Sequence, residues 1–223
     1  VDVGWASGLT LAGGVYLYNQ PTTERTIILS FLLLVWGLRL GLYLWLTRIR
    51  HGKIDARYLT LSSRWNISQP LGYFLNFQFQ GLLMLIISLP WYFISLSNRS
   101  YLSKLDYCAI VLALGSIISE AIADHQLQQF KKSHPRQLCD QGLWHLSRHP
   151  NYFFEWLTWC AFSVLAFSHS SGWLALASPL VLYYLMTRVT GPMTEAGSIK
   201  SKGQAYRDYQ KATPLFFPKL FKK

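Results

Sequence analysis

Charge is what this chain has least of. Only 14% of its 223 residues are charged, against roughly 25% in ordinary soluble domains, so side chains that could build a water-facing surface are scarce. Acids are scarcest: 10 Asp and Glu stand against 21 Lys and Arg, a net charge of +11. Three cysteines, Cys108, Cys139 and Cys160, are too few and too scattered for a disulfide framework or a zinc pattern. No Gly-x-Gly-x-x-Gly, Walker loop, His-Glu-x-x-His or Gly-x-Ser-x-Gly occurs, which removes the soluble enzymes that carry those motifs. His125, His134, His145 and His149 lack regular ligand spacing, so no metal site is expected. Disorder and a collagen-like fibre are excluded by a composition that is 51% hydrophobic and 16% aromatic. A basic excess then leaves nucleic acid or a membrane as partner.

The apolar residues settle which. They run in long blocks without the short amphipathic stripes of soluble helices: Ile27–Leu46 holds one charge, Arg39, and Leu71–Leu96 holds none. Tyr107–Leu127 carries Glu120 and Asp124, Tyr152–Phe167 only Glu155, and Trp173–Val189 only Arg188. Val3–Tyr18 is one more block, slightly short. About 20 apolar residues span a bilayer as a helix, so the expectation is an all-α, polytopic membrane bundle of about six helices. The natural protein is expected to carry residues upstream of Val1, with a further helix, because polar Asp2 directly precedes an apolar block. Pro90 lies at the end of the third run, where a kink is tolerable if neighbours satisfy the freed carbonyl.

The connecting segments assign topology. Thr47–Pro70, Gln128–His149 and the tail from Gly191 hold 16 of the 21 Lys and Arg, and they alternate along the chain. By the positive-inside rule they are cytoplasmic. Residues 1–190 thus read as the transmembrane bundle and 191–223 as a cytoplasmic tail of one domain. The charge excess is a topology signal, and no nucleic-acid partner is expected.

Ionisable residues inside spans are expensive and therefore functional suspects. Asp124, Glu155 and Arg188 fall near cytoplasmic helix ends, where they outline a polar, cation-rich pocket suited to a phosphate-bearing cofactor. Glu120 and Asp124 lie four apart, as do Arg39 and Tyr43, so each pair shares a helix face. The densest cluster, Arg148-His-Pro-Asn-Tyr-Phe-Phe-Glu155, opens a span. Pro150 suits a first helical turn, where free amides with Arg148 and His149 favour an anion. Asn151 and Glu155, one turn apart, can grip an amide or a ribose. The basic residues equally suit contacts to lipid phosphates. In the tail, Tyr206 and Tyr209 with Arg207 and Lys211 suit either an amphipathic helix on the membrane surface or a flap over a bound cofactor.

These motifs carry a resemblance. Arg148-His-Pro-Asn-Tyr-Phe-x-Glu155, Glu195, and Tyr206-x-x-Tyr209 before Pro218 resemble the steroid 5α-reductase C-terminal-type membrane family. Val1-Asp-Val-Gly-Trp5, Trp36-Gly-Leu-Arg-Leu40 and Asp124-His-Gln-Leu127 agree with it. The similarity covers essentially the whole chain and is greatest to a small, mostly bacterial branch. Sterol C14 reductases are more distant, and isoprenylcysteine carboxyl methyltransferases share only the Arg-His-Pro element.

The resemblance implies an NADPH-dependent reductase of a conjugated C=C bond in a steroid-like or other lipid enone. By motif, Asn151 holds the nicotinamide carboxamide with support from Glu155. Asp124, Arg136, Arg148, His149, Tyr152, Glu195, Tyr206 and Tyr209 complete the cofactor site. Tyr43 becomes the proton donor, with Arg39 four residues before it and Asp2 as its acidic counterpart. Phe154 replaces a usual glycine and Thr158 a usual acid, and both depart from the steroid-reducing pattern. Two other expectations stand beside the reductase: a methyltransferase using S-adenosylmethionine on a lipid or isoprenylcysteine-type acceptor, and a non-catalytic protein binding lipid or nucleotide. The expected partners are the bilayer and a hydrophobic small-molecule substrate, in a bacterial inner membrane before the endoplasmic reticulum.

Overall fold

The structure, a computed structural model, describes residues 2–18, 20–49 and 66–219. Among these residues it is all-helical. Four stretches are long and apolar enough to cross a membrane: Glu24–Thr47, Gln69–Ile87, Lys104–Ser133 and Gly172–Lys202. That fits an integral membrane protein in a lipid bilayer. The two remaining apolar blocks form helices of 17 residues, α1 (Asp2–Tyr18) and α7 (Pro150–Ala166). At 1.5 Å per residue each is about 26 Å long, a little under a hydrocarbon core of about 30 Å. The third block divides into α3 (Gln69–Ile87) and α4 (Leu89–Ser95), which meet at Ser88. Pro90 occupies the first turn of α4, where its missing N–H would have had no partner in any case.

The chain folds as two compact units. The first comprises residues 1–103 and 166–178. Its centre is the packing of α1 against α2 (Glu24–Leu44). Leu29, Leu32, Leu33 and Trp36 recur at three- and four-residue intervals on α2 and are fully buried, which is the stripe an amphipathic packing face requires. Gly37 lies where a Cβ would overlap the Thr10 side chain of α1, so its lack of a side chain sets how closely the two helices approach. Thr23 caps α2 in a reciprocal pair: its Oγ1 accepts from Thr26 N at 3.2 Å, while Thr26 Oγ1 accepts from Thr23 N at 2.8 Å. Arg25, 1% exposed, donates from Nη2 to Ser168 Oγ at 2.9 Å. Ser97 Oγ donates to Ser168 O at 3.3 Å, and the Phe93 and His169 rings lie 5.9 Å apart. These contacts fasten residues 166–178 into a unit otherwise built from the N-terminal part of the chain.

The second unit comprises residues 104–165 and 179–223. It holds α5 (Lys104–Ser133), a short turn α6 (Leu143–Leu146), most of α7 and of α8 (Ala177–Tyr184), α9 (Gly191–Lys202) and α10 (Gln204–Ala212). A π-helical segment, Leu185–Thr190, joins α8 to α9. On α5 the buried positions are Asp106, Ala109, Ala113, Ser116, Ile117, Glu120, Ala123 and Asp124. Apart from Ile117, this stripe of helical period is unusual in being made of small residues and acids.

Candidate functional site

The sequence cluster at the head of α7 becomes a site in the second unit because the tail folds back onto it. Before α7 the backbone is held by backbone and hydroxyl groups together. Arg148 N donates to Pro214 O at 2.9 Å, Lys219 N to Leu146 O at 2.8 Å, and Ser147 Oγ to Phe216 O at 2.8 Å. Residues 213–219 therefore run beside residues 146–148. Phe216, buried, packs edge-on against Phe153, Trp156 and Tyr183, and Phe217 packs edge-on against Phe153 and Trp156. Aromatic pairs in this arrangement contribute about 0.5–1.5 kcal/mol each beyond their burial.

At the centre is the buried Glu195 carboxylate of α9. Arg148 binds it two-pointedly, Nε to Oε1 at 2.6 Å and Nη2 to Oε2 at 3.2 Å. Gln210 Nε2 donates to Oε2 at 2.7 Å, and His149 Nε2 lies 3.3 Å from Oε1. Arg148 Nη1 donates in addition to Gln210 O at 2.8 Å and Thr213 O at 2.9 Å. One guanidinium thus joins α9, the end of α10 and the loop beyond it. Four of its five N–H groups are engaged within the protein.

The tyrosines of α10 face inward. Tyr209 donates its hydroxyl to Trp144 O and, at 3.4 Å, to Ser147 O. Its ring meets that of Tyr206 edge-on at 5.8 Å. Burial pushes both phenols well above the ordinary value, for Tyr206 with the added effect of the Glu195 charge and for Tyr209 with that of Tyr206. Burial likewise raises the thiol of Cys139. Trp144 Nε1 donates to Ala123 O at 2.8 Å, which ties α6 to the polar stripe of α5. Gly142, at φ +57°, makes the left-handed turn that Cβ-bearing residues avoid. It lets Gln126 Oε1 accept from Leu143 N at 3.0 Å.

A second polar group lies in the first turn of α7. Asn151 Nδ2 donates to Oδ1 of the buried Asp124 at 3.3 Å, while its own Oδ1 accepts from Tyr152 N at 3.0 Å. The His149 and Tyr152 rings stack with centroids 5.0 Å apart and planes 10° from parallel. Glu155 Oε1 accepts from Trp159 Nε1 at 2.9 Å. Of the residues named from sequence, Arg148, His149, Glu195 and Tyr206 thus gather around one carboxylate. Asp124 of α5 and Asn151 of α7 form a separate pair, and Tyr209 fixes the tail. Arg136 stands apart, exposed in the turn after α5 with φ 71°.

Arg39 and Tyr43 belong to the first unit. They share one face of α2, with the guanidinium carbon 5.6 Å from the phenol centroid. Asp2 starts α1, and its side chain lies outside the described residues, as do Arg50, Lys53, Arg57 and Arg64 of the basic segment. Sequence reading missed Gln210, Ser147 and the carbonyls of Gln210 and Thr213. Ser147 and Gln210 each adjoin a residue that was named, which was the available signal. A backbone acceptor carries no sequence signature at all.

Comparisons with known proteins complete these findings. A family model described as a protein of unknown function (DUF1295) matches residues 1–213. An uncharacterized protein of Schizosaccharomyces pombe is 25% identical over 236 aligned residues, covering 91% of this chain and 66% of its own length. The chain therefore spans slightly less than two thirds of that relative. No solved structure matches.

Proposed function

The chain belongs to the DUF1295 family of proteins of unknown function, and on its own residues we propose that it is a membrane-embedded, NADPH-dependent reductase of a conjugated C=C bond in a lipid enone. Its motifs resemble those of steroid 5α-reductases, and the observation that carries the reading is the Asp124–Asn151 pair. A carboxylate 2% exposed, in a helix long and apolar enough to cross a membrane, is hydrogen-bonded to a carboxamide at the start of another helix. Such a group is costly in lipid and is kept where it binds something.

The donor set fits a nicotinamide dinucleotide. Asn151 and Glu155 suit the carboxamide, Asp124 a ribose hydroxyl, and the Tyr152–His149 ring pair a flat heterocycle. Arg148, whose guanidinium is engaged by Glu195 and the tail, is not the chief grip on the phosphates, and Arg136, which stands apart from the cluster, is the named cation left for that role. Arg148 and Glu195 are then positioning residues that set Tyr206 and Tyr209 in place. When bound, NADPH supplies a hydride to the β-carbon of the enone. On the resemblance alone, Tyr43 is assigned to donate its proton to the carbonyl oxygen on which charge develops, and tautomerisation of the enol then leaves a proton on the α-carbon. Arg39, above the phenol ring, positions Tyr43 by cation–π attraction.

The engagement of Arg148 also favours one second reading. S-adenosylmethionine has no phosphate, so a methyltransferase needs no such grip. Thermal unfolding of the full chain in detergent, with NADPH, NADH or S-adenosylmethionine added, separates the two. NADPH at 100 times its dissociation constant is expected to add about 2.7 kcal/mol. Stabilisation by S-adenosylmethionine alone replaces the reductase with the methyltransferase, and stabilisation by none leaves a non-catalytic protein. Tyr43→Phe is expected to keep the NADPH shift and lose turnover by roughly 100-fold or more. Full turnover in that variant removes Tyr43 from the chemistry.

A further inference from the structure

Helix α3 carries three carboxamides near its middle, and they do not share a fate. Asn76 and Gln80 are one turn apart and face the bundle: Gln80 Nε2 donates to Asn76 Oδ1 at 2.5 Å, and Gln80 Oε1 accepts from Trp5 Nε1 of α1 at 3.0 Å. Gln78 lies two residues from each. At 100° per residue it projects from the opposite side of the helix. It is exposed and makes no hydrogen bond.

Its depth makes this expensive. Gln78 is the central residue of Gln69–Ile87, a stretch long and apolar enough to cross a membrane. Each end of the helix is nine residues away, roughly 13 Å at 1.5 Å per residue, well beyond the reach of a glutamine side chain. In hydrocarbon such an amide lacks any partner.

The residues around it follow a rule of their own. Leu71, Leu75, Gln78, Leu82 and Leu85 are spaced four, three, four and three apart, and the four leucines are between 47% and 59% exposed. That is a heptad seam of period 3.5, the pattern by which one helix packs along another in a left-handed pair. Gly81 lies open beside it, with nothing within 4 Å of where a Cβ would stand. Only Gly72 and Ile87 of α3 are buried, so among the described helices of its unit this one is the least covered for its length.

We propose that this seam is the interface of a homodimer, in which α3 of one copy packs along α3 of a second copy in the same orientation. The occupant follows from Gln78. A carboxamide donates through Nε2 and accepts through Oε1, so it is its own complement. A two-fold axis along the membrane normal puts the two Gln78 residues at one depth and makes their hydrogen bonds reciprocal, as a self-complementary interface requires. Lipid satisfies the leucines and leaves Gln78 unmet, whereas a second α3 satisfies both. Interhelical glutamine bonds of this kind set register and oligomeric state.

The experiment is subunit counting on the full chain in liposomes, with and without substitution at Gln78. The wild-type chain is expected to be dimeric. Gln78→Leu, an apolar change that lipid tolerates, is expected to weaken dimerisation roughly 5- to 30-fold, while Gln78→Asn retains most of it. A cysteine scan in a chain lacking native cysteines gives an independent readout. Leu75→Cys and Leu82→Cys should form disulfide-linked dimers, and Phe77→Cys and Phe79→Cys, exposed but off the seam, should not. A monomeric wild-type chain, a Gln78→Leu variant as dimeric as wild type, or equal crosslinking on and off the seam overturns the proposal. So does a crosslink from the seam to another helix of the same chain or to a different protein.

Discussion

At the scale of single residues, Glu195 decides most. It receives hydrogen bonds from Arg148 and Gln210 and lies beside His149 Nε2, and its side chain is only 8% exposed. Removing one member of a buried ion pair strands the other, at a cost of about 3–5 kcal/mol. Glu195→Ala is therefore expected to lower stability by that amount in thermal or denaturant unfolding in detergent, with the tail becoming protease-sensitive first. An unchanged midpoint with an intact tail would show that the carbonyls of Gln210 and Thr213 hold Arg148 unaided. The residue types of this cluster were legible in the sequence, since Arg148, His149, Glu195 and Tyr206 were each singled out. Their mutual pairing was not. Forty-seven positions separate Arg148 from Glu195, and composition cannot tell a cation that meets a ligand from one that meets an acid of its own chain.

At the scale of elements, α1 and α2 depend on a place with no side chain. A Cβ on Gly37 would overlap Thr10, and overpacking of this kind costs about 1–3 kcal/mol. Gly37→Ala should lower the unfolding midpoint, and adding Thr10→Ala should restore much of the loss, because the double variant removes the atoms that collide. Additive losses would place the strain elsewhere. Helix positions were readable from apolar runs because a span must satisfy its backbone internally and clothe itself in apolar side chains. Hydropathy marked Leu71–Leu96 as one block, and only Pro90 signalled that α3 and α4 would part at Ser88. The hydropathy of α3 likewise gave no sign that its amides divide between an inner and an outer face, which depends on what α1 offers them.

At the scale of the whole molecule, the positive-inside rule leads to the expectation that the basic segments are cytoplasmic. Single cysteines in a chain lacking native ones can check this from intact cells with a membrane-impermeant thiol reagent. Lys132→Cys and Lys219→Cys, both exposed, are expected to label only after the membrane is opened, and Ser100→Cys, also exposed, before. The reverse pattern would invert the orientation and place the Asp124–Asn151 pair on the far side from cytoplasmic cofactor pools. The division into two units had no counterpart in the sequence reading, because residues 166–178 sit inside an unremarkable run of small and apolar side chains and only their partners assign them to the first unit.

That assignment has a consequence in time. Arg25 is buried near the start of α2, and one of its hydrogen-bond partners, Ser168, is 143 residues further along the chain. At synthesis rates of about 5–20 residues per second, Arg25 emerges roughly 7–30 s before Ser168 exists. During that interval the first unit is missing a piece it needs, while the rest of α2 and all of α3 through α7 are being made. A ribosome stalled before residue 168 therefore leaves behind a half-built unit and not a finished N-terminal domain.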